Sequence, residues 1–279
     1  MPEHAKKLTG APASENAKLR LDALVVERGL AESREQAQRL IMAGRLVHPL
    51  GKPLKPGMKV PKDFPLELLE VEKFVSRGGY KLEAALDRFG IVVQGRVCAD
   101  VGASTGGFTD CLLQRGAKLV YAVDVGDSTL HRRLRGDGRV RVLDHTNARH
   151  LNPAIFTELP SFVAVDVSFI SVTKILPAVR RCVAAEGQCV ALIKPQFEAT
   201  REEVSRGRGV IREPAVHKRI LEQLLRDMPL LGWHAVGLMV SPILGGQGNR
   251  EYLAWLEPGK GTAEGIDVDR LVHEAFLIR

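Results

Sequence analysis

The chain has 279 residues, of which 45% are hydrophobic, 5% aromatic and 26% charged, and its net charge is +7. This composition predicts a globular protein with one good core and a second small domain. The sequence shows no apolar signal core near its N-terminus and no run of about 18 apolar residues, which disfavours secretion and membrane insertion. We therefore expect a cytoplasmic protein.

The cysteines are isolated within apolar segments and form no C-x-x-C pair. This pattern disfavours both a zinc site and a disulfide framework. We expect no bound metal and four reduced thiols in the core, at Cys98, Cys111, Cys182 and Cys189.

Charge is distributed unevenly along the chain. Residues 1–62 contain 12 Lys or Arg against 6 Asp or Glu, so this segment carries nearly all of the positive excess. A basic module beside a nearly neutral body is typical of a protein that holds a polyanion with one part and processes it with the other. RNA is the expected partner, and solvated surface charge is the alternative.

The N-terminal segment predicts a small domain after a flexible tail at residues 1–17. Apolar residues at helical spacing over 21–28 predict a first helix, and Ser33-Arg-Glu-Gln36 predicts a capping box that opens a second helix through Met42. Short strands and turns are expected over 44–57, and a strand over 66–71.

The segment from Arg20 to Arg45, together with Lys55-Pro-Gly57, resembles the small-subunit ribosomal-protein-four type of RNA-binding domain. The resemblance implies that residues 18–73 form a small α+β domain that binds structured RNA. Basic side chains in this region could converge on one phosphate-binding face. The expected RNA-binding residues are Arg20, Arg34, Arg39, Arg45, Lys52, Lys55 and Arg77.

The stretch from Val97 to Phe108 is an apolar strand that stops at Asp100, a glycine-rich turn, and the start of an amphipathic helix. The glycines permit unusual backbone angles and close approach, and the helix start presents unpaired N–H groups. Neither G-x-G-x-x-G nor a phosphate loop is present, which weakens an NAD or ATP hypothesis. A second strand, 118–124, ends in Asp124, where α/β folds bind a ribose hydroxyl pair.

Adenosine without a required pyrophosphate fits both features, so we expect S-adenosyl-L-methionine (SAM) as the cofactor. The alternative is a tight strand-to-helix turn with no ligand. The expected cofactor-binding residues are Asp100, Gly102, Ala103, Ser104, Gly106, Gly107, Phe108, Thr109, Asp124, Val125, Asp144 and Asn147.

Beyond the glycine loop, apolar strands at 139–143, 161–167 and 188–194 alternate with helical segments such as 173–183. This alternation predicts a doubly wound α/β fold, with a Rossmann-like methyltransferase sheet in residues 74–279. Residues 233–241 and 251–256 are expected to pair like a hairpin, and a helix over 268–276 to cover the sheet.

Two segments have less regular predictions. Gly78-Gly79 predicts a bend in the chain before Lys81. The Arg- and Gly-rich stretch 199–212 predicts either a lid over RNA or a solvated loop.

Polar residues at the carboxyl ends of parallel strands are the strongest functional candidates. Asp166 and Lys194 each end a strand, Glu251 opens the last strand, and Lys81 precedes the sheet. This set resembles the Lys-Asp-Lys-Glu tetrad of FtsJ-like ribose 2′-O-methyltransferases. The resemblance implies that Lys194 is the base, made neutral by desolvation and by Lys81, and that the other three position it.

Other methyl transfers have different signatures. Base N-methylation uses an Asn/Asp-Pro-Pro-Tyr/Phe motif where this chain has Asp166-Val-Ser-Phe169, and carbon-5 methylation of cytosine needs a cysteine in a strand-end loop. Neither signature is present.

From Arg20 to about Leu256 the chain resembles the TlyA (haemolysin A) family of ribosomal RNA methyltransferases. The resemblance implies a cytidine 2′-hydroxyl in ribosomal RNA, free or in ribosomal subunits, as the substrate. Two alternatives come from other classes: a haemolysin-like membrane-active protein, and a non-catalytic RNA-binding ribosome assembly factor. The motifs that carry the resemblance are Ser76-Arg-Gly-Gly-Tyr-Lys-Leu82, Asp100-Val-Gly-Ala-Ser-Thr-Gly-Gly-Phe-Thr-Asp-Cys-Leu-Leu-Gln114, Asp166-Val-Ser-Phe-Ile-Ser171, Lys194-Pro-Gln-Phe-Glu198, Gly207-Arg-Gly-Val-Ile211 and Ser241-Pro-Ile243 with Gly248-Asn249 and Glu251.

Overall fold

A computed structural model describes residues 18–68, 72–127, 129–259, 261, 263 and 265–277. The chain divides into two compact units, residues 1–72 and 73–279. The tail expected over residues 1–17 lies outside the described residues.

The N-terminal unit contains the two expected helices, α1 and α2. Helix α2 begins at the predicted place, where Ser33 Oγ accepts a hydrogen bond from the Gln36 backbone N–H at 3.2 Å. The second bond of the expected capping box is replaced, because Gln36 Oε1 accepts from the Glu32 N–H at 2.8 Å. Of the strand expected over 66–71, residues 67 and 68 form a strand, residue 66 does not, and residues 69–71 lie outside the described residues. Strands β1 and β3 pair antiparallel, as do β2 and β4. The elements are β1 (Leu19–Arg20), α1 (Leu21–Glu27), α2 (Arg34–Met42), β2 (Leu46–Val47), β3 (Lys59–Val60) and β4 (Glu67–Leu68).

The C-terminal unit is built on a seven-stranded sheet with the order β10-β11-β9-β8-β5-β6-β7. Strands β5 to β9 are parallel, and β11 runs antiparallel to both β9 and β10. The elements are α3 (Gly78–Phe89), β5 (Val97–Val101), α4 (Gly107–Gln114), β6 (Leu119–Val123), α5 (Arg132–Arg135), β7 (Val140–Leu143), β8 (Phe162–Val165), α6 (Leu176–Cys182), β9 (Gln188–Ile193), α7 (Pro195–Glu198), α8 (Arg201–Arg206), α9 (Pro214–Asp227), β10 (Trp233–Val240), β11 (Tyr252–Pro258) and α10 (Val268–Leu277).

Helices cover both faces of this sheet, as the doubly wound pattern predicts. Ala99 and Val101 of β5 pack into the core beneath α6, α9 and α10, whereas Cys98 faces the core beneath α3 and α4. All four cysteines are buried and free, as expected. The order of strands reverses between β5 and β8, which creates a crevice at their carboxyl ends.

The prediction of a bend at Gly78-Gly79 was wrong, because α3 begins at Gly78 and contains both glycines. A Cβ on Gly79 would lie 2.2 Å from the ring of Phe74, so a glycine is needed here for close packing. The bend lies just before the helix, at residues 73–76.

The stretch 199–212 is more regular than either prediction. Thr200 and Glu203 form a capping box that opens α8. The segment then returns to the core, where Val210 and Ile211 are buried.

Candidate active site

The glycine turn after β5 brings two strand-end loops into contact. Gly102 has a φ of +90°, and a Cβ at this position would lie 2.3 Å from the backbone oxygen of Asp166. Ser104 and Gly106 also have positive φ, at +48° and +96°. The glycine at position 102 therefore allows the loop after β5 to lie directly against the loop after β8.

Asp100 is fully buried at the end of β5. Its Oδ2 accepts hydrogen bonds from the Thr109 backbone N–H at 2.8 Å and the Thr109 hydroxyl at 2.7 Å. Burial raises the pKa of Asp100 to about 7, and the nearby charges of Asp166 and Asp124 act in the same direction. Among the described residues, its other oxygen, Oδ1, has no hydrogen-bond partner. Asp100 thus fixes the start of α4 and retains one acceptor atom for a ligand.

A cavity of about 570 Å³ opens at the carboxyl ends of β5, β6 and β8, and we call it the cofactor cavity. Asp124 stands at its wall, where Oδ2 accepts from the Ser104 N–H at 2.7 Å and Oδ1 accepts from the Gly126 N–H at 3.1 Å. Five of the expected cofactor-binding residues contribute to its lining: Gly102, Ser104, Asp124, Val125 and Asn147.

The remaining expected cofactor-binding residues occupy other places. Asp100, Ala103, Gly107 and Phe108 line a smaller cavity of about 190 Å³, which shares Gly102, Ser104, Asp166 and Ser168 with the cofactor cavity. Gly106 and Thr109 line neither cavity. They support the turn from behind, since a Cβ on Gly106 would meet Leu134 at 2.4 Å.

Asp144 also lies outside the lining of both cavities. It follows β7 and forms an ion pair with Arg135 at 3.4 Å. The cofactor cavity is instead completed on this side by Thr146, Ala148 and Arg149, which the sequence did not single out.

The four side chains of the expected tetrad form two ion pairs. Lys81 Nζ lies 2.5 Å from Glu251 Oε2, and Lys194 Nζ lies 2.6 Å from Asp166 Oδ1. The Lys81 and Glu251 side chains are only 10% and 2% exposed. Lys81, Asp166 and Lys194 all line the 190 Å³ cavity, so the structure gathers the set beside the glycine turn.

Two residues that the sequence did not indicate hold the tetrad in place. Ser168 accepts a hydrogen bond from Lys194 Nζ at 2.9 Å. Gly245 leaves room for Glu251, because a Cβ there would lie 2.0 Å from Glu251 Oε1. The only sequence signal for Ser168 was its place in the Asp166-Val-Ser motif.

A larger cavity of about 810 Å³ adjoins the tetrad. Phe169 and Phe197 line it, with their ring centroids 5.2 Å apart, and Lys194 Nζ lies 5.8 Å from the Phe197 ring. Phe169 is 92% exposed and has a φ of +63°. A bulky residue rarely adopts this backbone conformation, and core packing does not explain an exposed ring. The sequence did not indicate this aromatic surface.

The basic residues expected to bind RNA have different environments. The buried Asp22 carboxylate accepts hydrogen bonds from Arg20 and Gln38, both at 2.9 Å, and lies 3.4 Å from Arg34. The bond from Arg20 holds the pKa of Asp22 well below its usual range, although burial opposes this effect. Asp22 thus fixes Arg20 and Arg34 in one cluster.

The other expected RNA-binding side chains do not belong to the Asp22 cluster. Arg39, Lys52 and Lys55 are exposed, whereas Arg45 is half-buried. Arg77 belongs to the C-terminal unit, where its guanidinium donates to the Leu244 backbone oxygen at 2.5 Å.

Across the described ranges, no helix has the length and apolar character needed to cross a bilayer.

Comparisons with known proteins agree with this geometry. The chain matches the FtsJ-like methyltransferase family over residues 74–257 and the S4 domain over residues 19–47. It is 49% identical to YqxC of Bacillus subtilis over 266 residues, which cover 92% of this chain and 94% of that protein. A solved structure from Streptococcus thermophilus is 45% identical, covers 95% of this chain and 97% of its own, and has a TM-score of 0.72.

A third relative has a name that states an activity. The Mycobacterium tuberculosis protein named 16S/23S rRNA (cytidine-2'-O)-methyltransferase TlyA is 45% identical over 261 residues, which cover 92% of this chain and 97% of that protein. The predicted fold class is confirmed, as are the resemblances to the S4 domain, to FtsJ-like methyltransferases and to the TlyA family. This chain belongs to the TlyA family of rRNA methyltransferases, with an FtsJ-like methyltransferase domain and an S4 domain.

Proposed function

We propose that this protein transfers a methyl group from SAM to the ribose 2′-hydroxyl of a cytidine in ribosomal RNA. The observation that carries the proposal is the pair of ion pairs, Lys81 with Glu251 at 2.5 Å and Lys194 with Asp166 at 2.6 Å, beside the glycine turn. The name of the Mycobacterium tuberculosis relative supports this substrate.

The residues around the cofactor cavity fit SAM. Its volume of about 570 Å³ lies within the range of about 300–1,000 Å³ that is typical of small-molecule sites. Each Asp124 oxygen accepts one backbone N–H in the structure, which leaves acceptor capacity for the ribose hydroxyls of an adenosyl group. The free Oδ1 of Asp100 can accept from a polar group at the other end of the ligand. When bound, SAM supplies an electrophilic methyl group on a sulfonium.

Lys194 is the proposed base. Lys194 Nζ is placed to accept the proton of the ribose 2′-hydroxyl as that oxygen is methylated. Asp166 and Ser168, at 2.6 and 2.9 Å from Nζ, orient this amine toward the 190 Å³ cavity. Lys81, held by Glu251, lines the same cavity and positions the hydroxyl.

The remaining surfaces support an RNA substrate. The 810 Å³ cavity offers the rings of Phe169 and Phe197 next to Lys194, and aromatic rings of this kind stack on unpaired bases. Exposed Lys52 and Lys55 in the N-terminal unit are suited to phosphate contacts. We assign the reaction to ribosomal subunits or their free RNA in the cytoplasm.

The proposal is tested by incubating the protein with isotopically labelled SAM and with separated small subunits, large subunits or free ribosomal RNA. The RNA is then digested, and its nucleosides are identified by mass spectrometry. We expect label in 2′-O-methylcytidine from at least one of these substrates. Label on a base atom would refute the chemistry, and no label with any substrate would favour a non-catalytic assembly factor.

Asp124→Ala is expected to weaken SAM binding by about 10- to 100-fold. The reason is that the net loss should equal about one hydrogen bond to a charged carboxylate, which contributes about 1.5–3 kcal/mol, and the change also releases the Ser104 N–H. Isothermal titration calorimetry measures the effect. The control is Glu186→Ala, which changes an exposed acid just before β9, at the opposite edge of the sheet. Equal affinity in the two variants would remove Asp124 from the cofactor site.

A further inference from the structure

Glu198 connects two active-site loops at a point away from the tetrad. It ends α7, the helical turn that directly follows Lys194. Its Oε2 accepts from the Ser171 hydroxyl at 2.6 Å, and its Oε1 accepts from the Val172 backbone N–H at 2.7 Å. Both carboxylate oxygens therefore bind the segment that follows Asp166.

The same two segments are also joined at their other ends. Lys194 forms its ion pair with Asp166 at 2.6 Å and donates to Ser168 at 2.9 Å. Between Lys194 and Glu198, the chain is held as a helical turn by a hydrogen bond from the Phe197 N–H to the Lys194 backbone oxygen at 2.8 Å. The α7 turn is therefore connected at both ends to the segment that follows β8. Two connections restrict both translation and rotation of this segment relative to the turn, whereas one connection would leave it free to rotate.

The loop held in this way is under backbone strain. Phe169 lies between the two connections, with a φ of +63° and an exposed ring. Such a conformation persists only where the surrounding structure enforces it. Burial disfavours the charged form of Glu198 and raises its pKa, while the hydrogen bonds from Ser171 and Val172 act in the opposite direction.

We infer that Glu198 is a positioning residue for methyl transfer. It holds residues 166–171 so that Asp166 and Ser168 remain in contact with Lys194, and so that the Phe169 ring remains beside the 810 Å³ cavity. The inference rests on the proposed function. Glu198 touches neither the tetrad nor, in the described contacts, any residue of the glycine turn, so its effect on the reaction passes through the loop.

The test compares Glu198→Ala, Glu198→Gln and Ser171→Ala in the full chain, with Glu202→Ala on exposed α8 as the control. A displacement of about 1 Å near reacting atoms can cost about 10²-fold in rate. We therefore expect Glu198→Ala to lower kcat by about 10- to 100-fold, with a smaller rise in KM because Phe169 is displaced as well. Glu198→Gln should restore most of this loss, because its amide oxygen can accept from Val172 and its amide nitrogen can donate to Ser171.

A double-mutant cycle separates positioning from general destabilisation. Ser171→Ala should lower kcat less than Glu198→Ala, and the combined variant should be no slower than Glu198→Ala alone. Full kcat in Glu198→Ala, or a Gln variant as slow as the Ala variant, would overturn the inference while leaving the proposed function intact. If Glu198→Ala does not fold, additive effects in the Glu198→Gln and Ser171→Ala cycle would overturn it equally. Wild-type protein that forms no ribose product would overturn the proposed function, and this inference with it.

Discussion

Lys194→Met is expected to lower kcat for ribose methylation by about 10²- to 10⁴-fold, the contribution typical of a positioned acid or base. Methionine keeps most of the length and the apolar stem of lysine but cannot accept the hydroxyl proton. Affinities for SAM and RNA should change little, because Lys194 lies outside the lining of the cofactor cavity and the N-terminal unit is untouched. Single-turnover rates with saturating SAM give the chemical step directly.

The matched control is Lys118→Met, which removes an exposed lysine just before β6, at the amino ends of the parallel strands. It should react at the wild-type rate. A Lys194→Met rate close to that of the control would show that the base lies elsewhere. Lost RNA binding in Lys194→Met would instead assign the residue a binding role.

The second large effect is expected for Gly102→Ala. The new Cβ would lie 2.3 Å from the backbone oxygen and 2.8 Å from the backbone carbon of Asp166, and backbone atoms cannot turn away as a side chain can. The positive φ of +90° adds strain. We expect a loss of about 2–4 kcal/mol in the free energy of unfolding and little remaining SAM affinity. Urea unfolding and calorimetric titration measure the two quantities.

Gly90→Ala provides the comparison, because Gly90 has a similar positive φ of +65° at the end of α3 but no described atom within 4 Å of an added Cβ. It should cost only the left-handed backbone penalty of about 1–2 kcal/mol and leave SAM affinity unchanged. Similar losses in both variants would mean that the contact between Gly102 and Asp166 does not shape the site.

Much of this fold could be predicted from the sequence because its signals are local. The apolar run before Asp100 and the glycines after it indicated the turn between β5 and α4. Asp166 and Lys194 could then be placed in one crevice, because parallel strands present their carboxyl ends at the same edge of a sheet. No knowledge of side-chain contacts was needed for this step.

The features that escaped prediction depend on contacts between distant parts of the chain. Gly245 is required only because the Glu251 side chain occupies the space beside it, and the left-handed Phe169 lies in a loop whose ends, Asp166 and Ser171, are held by Lys194 and Glu198. The Gly78-Gly79 pair was misinterpreted for the same reason, since Gly79 is needed to admit the Phe74 ring against α3. Sequence periodicity carries no information about which distant side chain will fill a space.

Because β11 runs antiparallel to β9 and β10, the position of Glu251 depends on the pairing register of this strand. Strand β11 begins at the edge of the sheet where the parallel strands end. Its first residue, Tyr252, pairs with Ile193, so the preceding residue, Glu251, lies opposite Lys194. A slip of one residue in this pairing would turn every side chain of β11 to the opposite face. It would withdraw the acid from Lys81 and leave a buried ammonium without its counter-ion. The register of β11 and the Lys81–Glu251 ion pair are therefore coupled. An insertion between β10 and β11 is tolerated only when it preserves this register.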